Sequence, residues 1–281
     1  MEKRKPPIID FHIHMMNHNP LAYAMMDIMA DKLASEKEFE DYVAFYSQPE
    51  NFVDYLKENG VDYGVILAEY IPLSYGDITN ETVGEFCAGH KELIPFCAFN
   101  PYMHSQPGKE LKRICREYDF RGIKLLPTYC HFYPHDQKLY PLYSVAEEMQ
   151  IPVMFHTGSS VIANNRIKYG NPIFFDDIAL DFPDLSIVMS HGGRGPWYAE
   201  ALTMIRLHKN VYIDATGLPV RKLSEFYPDF ERFAHKFIFG SDWPQIRMED
   251  NIARFHQLGL AEESVNKILG ENAAKLLKIS W

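Results

Sequence analysis

Apolar residues fall in short runs, each closed by a polar residue, a glycine or a proline, and the stretches between them repeat apolar positions at helical spacing. Eight such runs read as strands: residues 7–14, 62–69, 93–100, 121–126, 152–156, 186–191, 211–214 and 237–242. They are nearly continuous in apolar side chains rather than alternating, the pattern of a parallel sheet buried on both faces. Helical periodicity predicts a long helical region over 21–59, interrupted near Gln48-Pro49 and stopped by Gly60. Further helices are expected over 79–90, 107–118, 139–149, 175–182, 197–208 and 222–234, with two closing helices at 250–258 and 261–277. Residues 128–136 read as a polar, aromatic loop roofing the space above the fourth run. The methionines at 25, 26 and 29 read as helix packing.

Eight strands alternating with helices in 281 residues predict an α/β chain folded as a single-domain (β/α)8 TIM barrel over 1–281, with a helical insertion after the first strand. An open doubly wound sheet is the competitor. It calls for a glycine-rich nucleotide loop after the first strand, where this chain instead carries Asp10-Phe11-His12-Ile13-His14.

Composition narrows the class. Hydrophobic residues make up 47% of the chain, enough for a large core, and the net charge of −10 without a dense basic patch argues against nucleic acid as a partner. No run approaches the roughly 20 apolar residues of a membrane span. The charged start, Met1 to Lys5, is followed by only a short apolar run and does not read as a signal peptide. Cys87, Cys97, Cys115 and Cys130 are widely spaced and read as reduced thiols, so a cytoplasmic location is expected.

The chemistry sits at the strand ends. On a strand, residues i and i+2 share a face, so His12 and His14 project together and can hold one divalent ion. The other runs end at or near Glu69, Asn100, His156, His191, Asp214 and Asp242, and the fourth carries Lys124. In a barrel these are the positions of catalytic side chains. His18, His90, His104, His208, His235 and His256 do not fall there and read as ordinary surface or loop residues.

These motifs resemble the amidohydrolase superfamily, in its amidohydrolase-related branch of metal-dependent hydrolases, pyrone-dicarboxylate lactonase-like enzymes and aminocarboxymuconate-semialdehyde decarboxylase-like enzymes. The resemblance rests on Asp10-Phe11-His12-Ile13-His14, Gly122-Ile123-Lys124-Leu125, Phe155-His156-Thr157-Gly158, Ser190-His191-Gly192-Gly193 and Gly240-Ser241-Asp242-Trp243-Pro244. The tail from Ile268 to Leu277 matches as well. It implies that His12, His14, His156 and Asp242 ligate a metal, with Asp242 and His191 catalytic. His191 is expected beside that ion or on a second one. Lys124 either bridges two ions as a carbamate or remains an amine paired with Glu69 or Asp242. Zn2+ is the first expectation and Mn2+, Fe2+ or Co2+ the alternatives, as one ion or two. Glu69, Asn100, His131 and Arg194 are the expected substrate contacts, with Arg194 suited to a carboxylate, and Asp214 is expected to line the pocket. The expected partner is a small molecule. Such barrels often pair, so a homodimer is among the expected assemblies, although no segment marks an interface. The resemblance implies a hydrolase of a small amide, ester or lactone, or else a nonoxidative decarboxylase.

Overall fold

The structure, a computed structural model, describes residues 5–16, 26, 29, 31–74, 76–160, 162 and 164–281. His18, Met25 and the start of the predicted 21–59 helical region lie outside the described residues.

Eight parallel strands form one sheet in chain order. They are β1 (Ile9–His14), β2 (Tyr63–Leu67), β3 (Leu93–Ala98), β4 (Gly122–Leu125), β5 (Val153–His156), β6 (Ile187–Ser190), β7 (Val211–Asp214) and β8 (Phe237–Ile238). Every residue of β3, β4, β5 and β6 is buried, as the continuous apolar runs require. The sheet closes through backbone bonds past the end of β8. Phe11 N–H donates to Phe239 O, and His14 N–H to Trp243 O, both at 3.0 Å, while Ile13 bridges Trp243. The result is a TIM barrel.

Two apolar layers hold it. Ile9, Phe11, Val65, Leu67, Ile94, Phe96, Met154, Val188 and Ile238 fill the lumen, and Ala273, Ala274, Leu276 and Leu277 plug it from below. The opposite faces of the strands pack on the helices in a larger cluster. Phe11 and Phe96 meet edge to face at 5.3 Å, a contact worth about 1 kcal/mol beyond its area. Phe96 also lies over Gly122, where a Cβ would come within 2.2 Å of the ring.

β1 departs from simple alternation. Its register against β2 shifts between Asp10 and Ile13. Ile9 and Phe11 belong to the lumen, yet Ile13 belongs to the outer layer. The bulge thus turns His12 and His14 inward together, the re-aiming that such irregularities produce.

Two helices between β1 and β2 are the predicted insertion: α1 (Glu36–Tyr46), capped by Ser35 on Glu38 N–H, and α2 (Pro49–Glu58), opened by its proline. The second strand stops at Leu67, and Glu69–Ile71 pairs antiparallel with Gly76–Ile78 in a hairpin over the barrel mouth that alternation in the sequence did not announce. The expected loop at 128–136 begins as a helical turn, Pro127–Cys130. The predicted helix over 222–234 is broken into Leu223–Phe226 and Phe230–Lys236. Pro228 explains the break, since it excludes its preceding residue from the helical region, and Tyr227 adopts φ −125° and ψ 87°. The last helical region widens over Lys267–Glu271 into a π-turn, which frees Ile268 O to accept Phe239 N–H at 2.9 Å. Among the described residues no helix is long and apolar enough to cross a membrane.

Candidate metal centre

The inward turn of β1 places His12 and His14 below the opening at the C-terminal ends of the strands. Asp242 meets them from the segment after β8, held in the left-handed region at φ 67° with its N–H on His12 O. Its Oδ1 lies 3.0 Å from His14 Nε2 and 3.5 Å from His12 Nε2. One ligand atom from each of the three residues falls within 4.8 Å of the others. Asp10 joins the two chain segments: its Oδ1 accepts His12 N–H at 3.1 Å and Ser241 N–H at 2.9 Å.

Each imidazole of the pair has a carboxylate behind it. His12 Nδ1 is 2.7 Å from Asp214 Oδ2, at the end of β7, and His14 Nδ1 contacts Glu69 Oε1 from the hairpin. His156 ends β5, buried, and its Nε2 has no hydrogen-bond partner among the described residues. Its ring lies 4.6 Å from that of His191 and 4.9 Å from that of Tyr129. His191 follows β6 at φ 62° and donates from Nδ1 to Thr216 O at 3.1 Å, which leaves Nε2 as its open nitrogen. Gly217 lets the β7 loop pass close over this group, because a Cβ there would sit 2.9 Å from Asp242 Oδ2 and 3.0 Å from His191 Nδ1.

Protonation follows position. Burial first, with Lys124 and neighbouring imidazoles adding to it, pulls His12 well below the ordinary histidine range. Burial likewise lowers His156, aided by Lys124 and Arg194, and His191, aided by Arg194 and His156. These three are neutral imidazoles, the form a metal requires. Burial would lower His14 too, but Glu69 and Asp242 outweigh it and raise His14 to about 9. Burial alone would raise Asp242, yet the His14 bond and charge, with Arg194 and Lys124 beyond, hold it below the usual carboxylate value.

Lys124 lies beneath the pair, almost wholly buried, with Nζ 3.3 Å from His12 Nε2 and 3.2 Å from Ser190 Oγ. Burial lowers its pKa while Asp214, Glu69 and Asp242 oppose that fall. It therefore touches His12 and Ser190, rather than sharing a salt bridge with Glu69 or Asp242. Arg194 stands at the rim, with Nε and Nη2 on Ser159 O and Nη1 3.4 Å from Gly217 O. Three of its five N–H donors are engaged and two remain. The mouth pocket is walled by His14, Glu69, His156, His191, Arg194 and Asp242 on its polar side and by Ile71, Leu126, Tyr129 and Ile162 on its apolar side.

Two expected substrate contacts are not on this wall. Asn100 serves its own turn, with Oδ1 on Tyr102 N–H at 3.0 Å. His131, at φ 57°, points its Nε2 to Asn164 O at 2.8 Å and stacks near Tyr169. Asp214 is fully buried behind His12 instead of lining the opening. Asp10 enters the sequence only as part of the His12 motif and Tyr129 only as part of the roofing segment 128–136, which delivers it to the wall from the helical turn Pro127–Cys130; Ser160, from the loop after β5, carries no sequence signal.

The donor set fits a divalent cation. Two imidazole nitrogens and a carboxylate oxygen converge, and the buried, unpartnered Nε2 of His156 belongs to the same pocket wall. The amidohydrolase family model matches residues 9–279. The chain belongs to the amidohydrolase family. The chain is similar in structure to an uncharacterized TIM-barrel protein from Bordetella bronchiseptica, with 25% identity and a TM-score of 0.76 over 97% of this chain and 99% of the other. A probable 2-pyrone-4,6-dicarboxylic acid hydrolase from Acinetobacter baumannii, solved with citric acid bound, superposes with a TM-score of 0.67 at 18% identity, covering 96% and 99%. A 5-carboxyvanillate decarboxylase from Novosphingobium aromaticivorans, complexed with manganese and 4-hydroxy-3-methoxy-5-nitrobenzoic acid, gives 0.72 at 14% identity, covering 99% and 97%. No curated protein matches the chain by sequence.

Proposed function

We propose that this amidohydrolase is a metal-dependent hydrolase of a small amide, ester or lactone that carries a carboxylate. The observation behind this reading is the unpaired, buried His156 Nε2 set beside the His12, His14 and Asp242 cluster. Burying a polar nitrogen without a partner costs about 1–3 kcal/mol, so the site is built for a ligand that repays it. His12, His14, His156 and Asp242 would hold the ion, with Zn2+ the first choice for three imidazoles and a carboxylate. A divalent ion supplies a Lewis acid there and makes water acidic enough to react near neutral pH.

The chain's own groups do the rest. Asp242, kept ionised by His14 and Arg194, accepts a proton from the attacking water and returns it to the leaving group. His191 presents Nε2 towards the pocket, where it bears on the reacting carbonyl. The two open N–H donors of Arg194 hold the substrate carboxylate. The Ile71, Leu126, Tyr129 and Ile162 side of the wall takes the apolar body.

That same apolar side favours a second reading, nonoxidative decarboxylation of a planar ring acid, as in the manganese-bound structural neighbour. Metal-loaded protein incubated with carboxylated lactones, amides and aromatic acids separates the two: acid release without CO2 supports hydrolysis, and CO2 evolution supports the second reading. Turnover of neither class with zinc, manganese or cobalt would sink both. His156→Ala should abolish ion uptake; full occupancy in that variant would remove His156 from the ligand set.

A further inference from the structure

We propose that Asp214 and Glu69 are positioning residues: Asp214 fixes the tautomer of His12 and Glu69 the ring orientation of His14, so that both Nε2 atoms face the point shared with Asp242. This rests on the metal reading above and deepens it. A neutral imidazole carries its proton on one nitrogen only, so the partner of Nδ1 decides whether Nε2 is free to ligate. Both Nδ1 atoms abut a carboxylate oxygen, and both Nε2 atoms lie toward Asp242 Oδ1, at 3.5 Å for His12 and 3.0 Å for His14.

The Asp214 side is the more constrained. Asp214 is fully buried, and its Oδ1 accepts Thr216 N–H at 3.0 Å while Oδ2 faces His12 Nδ1. Gly240 makes that packing feasible: a Cβ at 240 would sit 2.7 Å from both Asp214 Oδ1 and His12 Cβ. The carboxylate thus has one oxygen committed to the main chain and one to the imidazole. Glu69 differs in its setting. It lies on the hairpin and within the pocket wall, two residues from Ile71, so the strand that orients His14 also carries part of that wall. Carboxylates behind ligating histidines orient the ring and raise its basicity, and losing one costs about 10–100-fold in metal affinity or activity.

The fixed geometry makes Asp214→Asn a specific test. The amide oxygen of an asparagine there must stay on Thr216 N–H, which leaves its NH2 against His12 Nδ1. The His12 proton then moves to Nε2, the ligating nitrogen, with almost no change of shape. In the wild-type protein stripped of metal, 15N spectra of labelled histidine should show His12 protonated at Nδ1 and bare at Nε2, assigned by comparison with His12→Gln. Asp214→Asn should reverse that signature and weaken Mn2+ or Zn2+ binding in chelator competition by about 10–100-fold, with the metal-free melting temperature unchanged. Glu69→Ala should weaken binding about tenfold, and Glu69→Gln should recover part of it because its amide oxygen still accepts from Nδ1. A wild-type His12 protonated at Nε2, or an Asp214→Asn variant that binds as tightly as wild type, would overturn the inference alone. Wild-type protein that takes up no divalent ion would overturn the metal reading with it.

Discussion

The two ends of the barrel bury polar groups in opposite ways. Below the strands, the buried ammonium and amide side chains end on main-chain carbonyls, and His208 pairs with Asp176 on the surface. Lys236 Nζ donates to His208 O, Lys209 O and Val211 O at 3.1, 2.5 and 3.2 Å. Asn210 Nδ2 reaches Ala179 O, Phe182 O and Leu185 O, and Asn272 Nδ2 reaches Ala234 O and Phe237 O. At the mouth, side chains face one another: His12 with Asp214, His14 with Glu69 and Asp242. Several buried atoms there, among them His156 Nε2, Thr216 Oγ1 and Asp10 Oδ2, have no partner among the described residues. The lower groups are complete without a ligand and serve the fold. The upper ones remain incomplete, which is the state expected of a site built to receive something.

Mutations at the two ends should therefore separate activity from stability. The largest effect is expected for Asp242→Ala, which should cut kcat by about 10³-fold or more if Asp242 has the proposed roles of ligand and proton acceptor. Its metal-free melting temperature should stay level or rise, because functional groups are held at a cost to stability. A parallel fall in stability, read by calorimetry, would erase the contrast between the ends. Next comes Lys236→Met, which leaves three carbonyls without their donor and should cost about 3 kcal/mol in urea unfolding, with kcat per folded molecule unchanged.

Stripping the ion should lower stability by about 2.7 kcal/mol relative to protein held at 100-fold over its dissociation constant, and Asp242→Ala should show no such shift. Asn210→Ala should cost about 1–2 kcal/mol, again without a kinetic effect. The smallest change is expected for His131→Ala. Its ring is occupied with Asn164 O away from the pocket wall, so kcat/KM should stay within about twofold. A tenfold loss would return His131 to the list of substrate contacts.

The barrel and its strand ends were legible in the sequence because both depend on local signals. Continuous apolar runs become buried parallel strands, and His12, His14, His156, His191 and Asp242 each close such a run. What escaped depends on contacts between distant segments. Whether Asp214 faces the opening or the back of His12 is set by Gly240 in the segment after β8, and no spacing within β7 encodes that. Asn100 shares the strand-end pattern, yet the turn behind it claims its side chain for Tyr102 N–H. The bulge in β1 was equally hidden. His12 and His14 do share a face as i and i+2, but that face is the lumen only because the register slips just before them.

The seam where β1 meets the segment after β8 governs how the ring is held closed. His14 and Asp242 are separated by 228 positions, and the Asp10 carboxylate ties their two segments through His12 N–H and Ser241 N–H. His12 and His14 come from the first strand of the sheet and Asp242 from the segment after the last, so the three converge only where the ring closes. An ion held by all three would act as a clasp across that seam.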